Sequence, residues 1–83
     1  MDHYLLTARS ITHAQRMAQV LARDGINVKL RRIGSVVTGN GCGYSLEVPE
    51  RKYRRAADAL REAGLRPVRI FFVSGGTRTE VAL

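Results

Sequence analysis

One residue in this chain has both the type and the setting for nucleophilic chemistry. It is Cys42, the single cysteine among 83 residues, held in Gly41-Cys42-Gly43-Tyr44. A lone thiol makes no internal disulfide and no cysteine pair for a metal. Two readings of it stay open. Neighbours without side chains would leave the sulfur accessible and offer backbone donors to an anion, which suits a thiolate that accepts a sulfane atom. Equally, Asn40-Gly41 is a turn into a strand, Gly43 a close-packing position, and cysteine a small buried hydrophobe.

The remaining candidates surround that thiol in chemistry more than in sequence. Arg9 and His13 carry charge that would favour a thiolate. Ser10 and Thr12 are hydroxyl residues at a helix start, where they cap first and bind second. Tyr44 and Tyr53 read as packed rings with their hydroxyls at the rim. His3 and His13 have no carboxylate or histidine partner at metal-site spacing, so neither a metal nor a cofactor is expected.

The elements that must position these residues follow from periodicity. Residues 4–8 make a short strand. Ser10 or Thr12 caps the helix that follows, with Gln15 three residues after Thr12 as in a capping box. Ala14, Met17, Ala18 and Leu21 then form one helical stripe, closed by Asp24-Gly25. Ile26, Val28 and Leu30 alternate with polar residues as a second strand. Residues 34–41 connect it to a third, in which Cys42, Tyr44, Leu46 and Val48 share one face and Gly43, Ser45 and Glu47 the other. Pro49 suits the first turn of a second helix. Its stripe is Tyr53, Ala56, Ala57, Leu60 and Ala63, with Gly64 at its end. Val68, Ile70 and Phe72 form the last strand.

The stretches Asp24-Gly25-Ile26-Asn27-Val28-Lys29-Leu30 and Ala63-Gly64-Leu65-Arg66-Pro67-Val68-Arg69-Ile70 repeat one plan. Two strand–helix–strand units give βαββαβ. The expected α+β fold is therefore ferredoxin-like, a four-stranded antiparallel sheet with two helices on one face. Residues 1–73 form this domain, and residues 74–83, with Gly75-Gly76, read as a flexible tail. In that topology the third strand begins at the edge of the domain where the first helix begins, so Cys42 falls near Ser10, Thr12 and His13. A helix N-terminus stabilises an anion by roughly 0.3–1 kcal/mol, and about 2 when partly buried. That raises the thiolate share at neutral pH from roughly a few per cent to a few tens of per cent.

Size and composition exclude other classes. A chain of 83 residues buries roughly 60–65% of its unfolded surface, enough for two layers but not for a deep cavity. No apolar run approaches the roughly 20 residues of a membrane span, and Met1-Asp2-His3-Tyr4 does not begin a signal peptide. The unpaired cysteine then favours the cytoplasm. A net charge of +7 suits an anionic partner, although the fourteen basic residues are dispersed.

Over residues 4–72 the chain resembles a family of short bacterial domains of unknown function described as selenium/sulfur-carrier-like. The resemblance rests on Ser10 after a strand, Ala14 and Leu21 in the helix, Gly25-Ile26 at its end, the Gly41-Cys42-Gly43-Tyr44 motif, and Gly64. It implies that Cys42 accepts sulfur or selenium, with a cysteine desulfurase or sulfurtransferase-type protein as partner and a carrier role more than an enzymatic one. Residues 34–40 depart from the family in lacking its proline and acidic residues.

Two other classes stand beside the carrier. An RNA-recognition module has the same fold, but Cys42 and Glu47 occupy places where stacking aromatics would be needed, and Tyr44 is expected to face the helices. A regulatory domain would form a homodimer through the open sheet face, lined by Leu5, Thr7, Ser45, Phe71 and Val73.

Overall fold

The computed structural model describes residues 2–33 and 43–81. Strand β1 (His3–Ala8) leads into helix α1 (Ile11–Arg23), followed by strands β2 (Lys29–Ile33) and β3 (Gly43–Pro49). A 3-10 turn over Glu50–Lys52 precedes helix α2 (Tyr53–Glu62), and strands β4 (Ile70–Ser74) and β5 (Thr77–Val81) end the described chain. The expected βαββαβ succession is therefore followed and then extended.

The sheet has five antiparallel strands, in the order β2-β3-β1-β4-β5, where four were expected. The additional strand comes from the stretch read as a frayed tail. Gly75 and Gly76 both lie at positive φ, 57° and 82°. That conformation makes a two-residue hairpin turn whose twist matches the strands it joins. The alternation of Thr77, Thr79 and Val81 with Arg78 and Glu80 then lies back along β4, with Ile70 opposite Val81 and Ser74 opposite Thr77.

The register sorts side chains into two faces. Tyr4, Leu6 and Ala8 of β1 pair with Val48, Leu46 and Tyr44 of β3, while Tyr4 and Leu6 also oppose Phe72 and Ile70 of β4. This is the core face. Leu6, Ala8, Leu46, Val48 and Ile70 are buried there against Ala14, Met17 and Leu21 of α1 and Ala56, Ala59 and Leu60 of α2. Tyr4 adds a stacked contact with Tyr53, ring centroids 3.7 Å apart, and a tilted one with Phe72 at 4.9 Å. The apolar stripes thus have the sheet as their common partner, as a two-layer fold requires.

The two helices end alike. Ile26 N–H donates to the Leu21 carbonyl and Gly25 N–H to Ala22; Leu65 N–H donates to Leu60 and Gly64 N–H to Arg61. Each is a Schellman motif, with glycine at +75° or +72° in the left-handed position. The repeated plan read from sequence is a repeated helix terminus.

Of the two expected caps, Ser10 is the one that α1 uses. Other local details differ from expectation. Pro49 ends β3 opposite His3 instead of opening a helix, and the 3-10 turn intervenes before α2. There the strand has already outrun β2, whose ladder stops at Lys29 opposite Glu47. Ile26 is buried and Val28 packs on the core, but both precede β2, and Leu30 within it is exposed. Ala63 is exposed at the end of α2.

Before β4 the chain bulges against β1. Thr7 N–H donates to the Arg69 carbonyl at 2.9 Å, and Val68 N–H donates to the Thr7 carbonyl at 2.8 Å. The Arg69 N–H, displaced from that ladder, donates to Thr7 Oγ1 at 2.8 Å. The hydroxyl donates in turn to the Arg69 carbonyl at 3.2 Å. Thr7 is wholly buried with its polar groups satisfied, as a bulge stitched by a side chain demands.

Candidate functional site at the start of the first helix

The start of α1 is built by one turn of capping. Ser10 is extended at φ −144° and ψ 162°, and its Oγ accepts the His13 N–H at 3.1 Å. Its carbonyl accepts the Ala14 N–H at 3.0 Å. The first N–H groups of the helix, those of Ile11 and Thr12, have no intrahelical acceptor by construction. No acidic residue lies in the first turn, so nothing on the helix offsets the positive dipole end. Arg9, Ser10 and Thr12 are exposed.

The start of β3 meets this turn through β1. Ala8, two residues before the cap, pairs with Tyr44, and Gly43 pairs with Ile33 on the other side. Gly43 is buried, and Tyr44 is half-buried against the core. The backbone therefore brings Arg9, Ser10, Thr12 and His13 to the same end of the sheet as Gly43 and Tyr44. Cys42 and Gly41 lie outside the described residues. Cys42 is joined to Gly43 by one peptide bond.

Two features here escaped the sequence reading. His13 Nδ1 is a buried nitrogen without a hydrogen-bond partner among the described residues. A buried unsatisfied nitrogen costs about 1–3 kcal/mol, so it calls for an explanation. Ile11 is the most exposed large apolar side chain among the described residues, at 40%. The signal for it was available: an apolar residue directly after the cap, outside the Ala14–Met17–Leu21 stripe.

Comparison with known families bears directly on this end of the molecule. The model of the family described as "Putative Se/S carrier protein-like" matches residues 3–71. The chain belongs to that family. The matched span runs from β1 through the Gly41-Cys42-Gly43-Tyr44 motif to the second residue of β4, and it leaves β5 outside. No match was found among curated proteins or among solved structures.

Elsewhere the surface has a further concave feature. A half-open groove of about 410 Å³ lies between α2 and β4, lined by Tyr53, Leu60, Leu65, Pro67 and the cations Arg61 and Arg66. It contains none of the residues expected at the site. Burial, and then the neighbouring phenol of Tyr4, holds the Tyr53 hydroxyl above the ordinary tyrosine pKa. Among the described residues no group of three His, Cys, Asp or Glu side chains is spaced to hold a metal ion. No described helix is long and apolar enough to cross a membrane.

The opposite sheet face carries Leu5, Thr7, Ser45, Phe71 and Val73, as expected, together with Lys29, Arg31, Glu47, Arg78 and Glu80. Its apolar members are half-buried, and Thr7 and Ser45 are buried. His3 Nε2 stands 3.8 Å from Glu47 Oε1 there. Tyr44 is on the core side, so β3 presents no aromatic ring on this face; the rings there are His3 of β1 and Phe71 of β4. The aromatic that the third strand of an RNA-recognition module uses for stacking is therefore missing from β3.

Proposed function

We propose that this protein carries sulfur or selenium as a sulfane atom on Cys42. The observation that carries the reading is the family match, which runs through the only thiol of the chain. The Ala8–Tyr44 pairing supports it, because the residue after Cys42 opens β3 at the end of the sheet where α1 presents its free N–H groups. The frame is best read as the ferredoxin-like split βαβ unit with one hairpin strand added. The setting is cytoplasmic, where a single thiol stays reduced.

The chemistry is exchange between thiols. The Cys42 thiolate attacks the terminal sulfur of a donor persulfide, R–S–SH. The new S–S bond forms on Cys42 as the donor's S–S bond breaks, and the donor leaves as its thiolate. The transferred sulfur keeps its proton and no net oxidation occurs, so neither metal nor cofactor is needed. The donor is a protein of cysteine desulfurase or sulfurtransferase type. The start of α1, at the end of the sheet where β3 opens, offers free N–H groups that favour an anion, with the charge of Arg9 and the exposed apolar side chain of Ile11 on the same turn.

The test is incubation of the reduced protein with a persulfide donor, followed by intact mass. The wild type gains one sulfur, on the order of 32 Da, and Cys42→Ser gains none. A wild type that stays unmodified, with Cys42 also slow towards iodoacetamide, would falsify the proposal.

A further inference from the structure

Among the described residues no strand pairs with the outer edge of β5, and its residues 77–80 are exposed. Its backbone polarity can be read from its neighbours. Arg69 directs its carbonyl to Thr7 of β1 at 2.9 Å, so by alternation Ile70, Phe72 and Ser74 direct their N–H and C=O groups towards β5. The two-residue hairpin requires the same, since its flanking pair, Ser74 and Thr77, is hydrogen-bonded. Thr77, Thr79 and Val81 therefore spend their backbone groups on β4. Arg78 and Glu80 point theirs outward.

We infer that β5 is a homodimerisation edge, pairing antiparallel with β5 of a second copy in a register centred on Thr79. In that register Arg78 lies opposite Glu80 of the second copy, and Glu80 opposite its Arg78. Both residues have outward backbone groups, so these are two pairs, each exchanging two backbone hydrogen bonds. The same two pairs bring opposite charges together on the open sheet face, where Arg69 Nη1 already lies 4.0 Å from Glu80 Oε1. Neighbouring registers are excluded by charge. A centre on Arg78 sets arginine against arginine, and a centre on Glu80 sets glutamate against glutamate. Thr79 faces itself, and Thr77 faces Val81, so every residue of β5 finds a partner.

The other edge is built in the opposite sense. Strand β2 has Lys29, Arg31 and Arg32 and no acid. Self-pairing there meets only like charge, a common means of blocking an edge. One edge is open to a second copy and the other is closed, so the assembly stops at two with closed symmetry. A five-residue seam buries far less than the roughly 1,600 Å² of a standard interface, so the dimer is weak and needs high protein concentration to be seen.

Charge reversal tests the register. Sedimentation of the full chain to about 1 mM, with a reductant to prevent a Cys42 disulfide, is expected to show a monomer–dimer equilibrium. Arg78→Glu and Glu80→Arg each place like charges in both pairs and should weaken the dimer about tenfold. The double variant Arg78→Glu/Glu80→Arg restores both pairs, and so does an equimolar mixture of the single variants as a heterodimer. Recovery in the mixture also shows that the single variants are folded. A wild type that is monomeric throughout, four proteins that associate alike, or growth beyond a dimer through β2 would each overturn the inference. Sulfur loading of Cys42 is independent of all these outcomes.

Discussion

At the scale of single residues, Ser10 and His13 separate folding from chemistry at the start of α1. Ser10 Oγ satisfies the His13 N–H at 3.1 Å. Ser10→Ala should cost about 1 kcal/mol of stability in urea titration, the usual value of a lost N-cap. His13 has the opposite profile. Its Nδ1 is buried and unpartnered among the described residues, so His13→Leu removes a desolvated nitrogen and should leave stability unchanged or higher. If that nitrogen serves the thiol, the same variant slows alkylation of Cys42 severalfold near neutral pH. Equal alkylation rates would make His13 a packing residue only. Tyr53 gives a pH signature. Burial raises its folded pKa above the unfolded value of about 10, so in alkali the unfolded state loses its proton first. Stability is therefore full below about pH 10 and falls as pH climbs through the folded value. Tyr53→Phe should flatten that decline in denaturation curves taken across the range.

At the scale of elements, the helices depend on the sheet more than on themselves. Leu60 is 2% exposed at the point where α2 meets Leu6 and Ile70. Leu60→Ala should cost about 2–5 kcal/mol, a large share of the stability of a domain this small, and would appear as a lower denaturation midpoint. Such elements were legible in sequence because their signals are local. The Ala14–Met17–Leu21 stripe and the glycines after each helix need only 3.6-residue spacing and a left-handed terminus. The run of strands and helices in βαββαβ is why the start of β3 and the start of α1 were expected together, and the pairing of Ala8 with Tyr44 brings them there. What escaped notice depended on context. Gly75-Gly76 is both a fraying signal and a hairpin signal, and only β4 beside it decides between them. Pro49 suits a helix start as well as a strand end, and the lost N–H matters little where β2 has already stopped. Of the two hydroxyl residues that offered a cap, Ser10 takes the place because β1 ends at Ala8 and the turn follows at once. The buried Nδ1 of His13 had no sequence signal, since burial of one ring atom depends on packing from several elements.

At the scale of the whole molecule, the proposed carrier role assigns encounter to charge and reaction to the thiol. Cations outnumber acids by fourteen to seven, so about half of them have no carboxylate of their own. Exposed cations are distributed over both helices, at Arg16, Arg23, Arg54 and Arg55, and along β2 at Lys29 and Arg31. A field of this kind accelerates approach to an acidic donor without adding much to the final affinity, and salt screens it over about 10 Å. The reaction of Cys42 with a small neutral reagent needs no such approach. Raising salt from about 50 to about 500 mM should therefore reduce the second-order rate of sulfur transfer from an acidic donor protein severalfold. Over the same range the rate of alkylation by iodoacetamide should hold nearly constant. If both rates fell together, salt would be acting on the thiolate itself, and the helix start would be the electrostatic element that matters. If neither moved, the net charge of +7 would serve some purpose other than docking, and the exposed Ile11 at the start of α1 would be left as the contact to test for a donor.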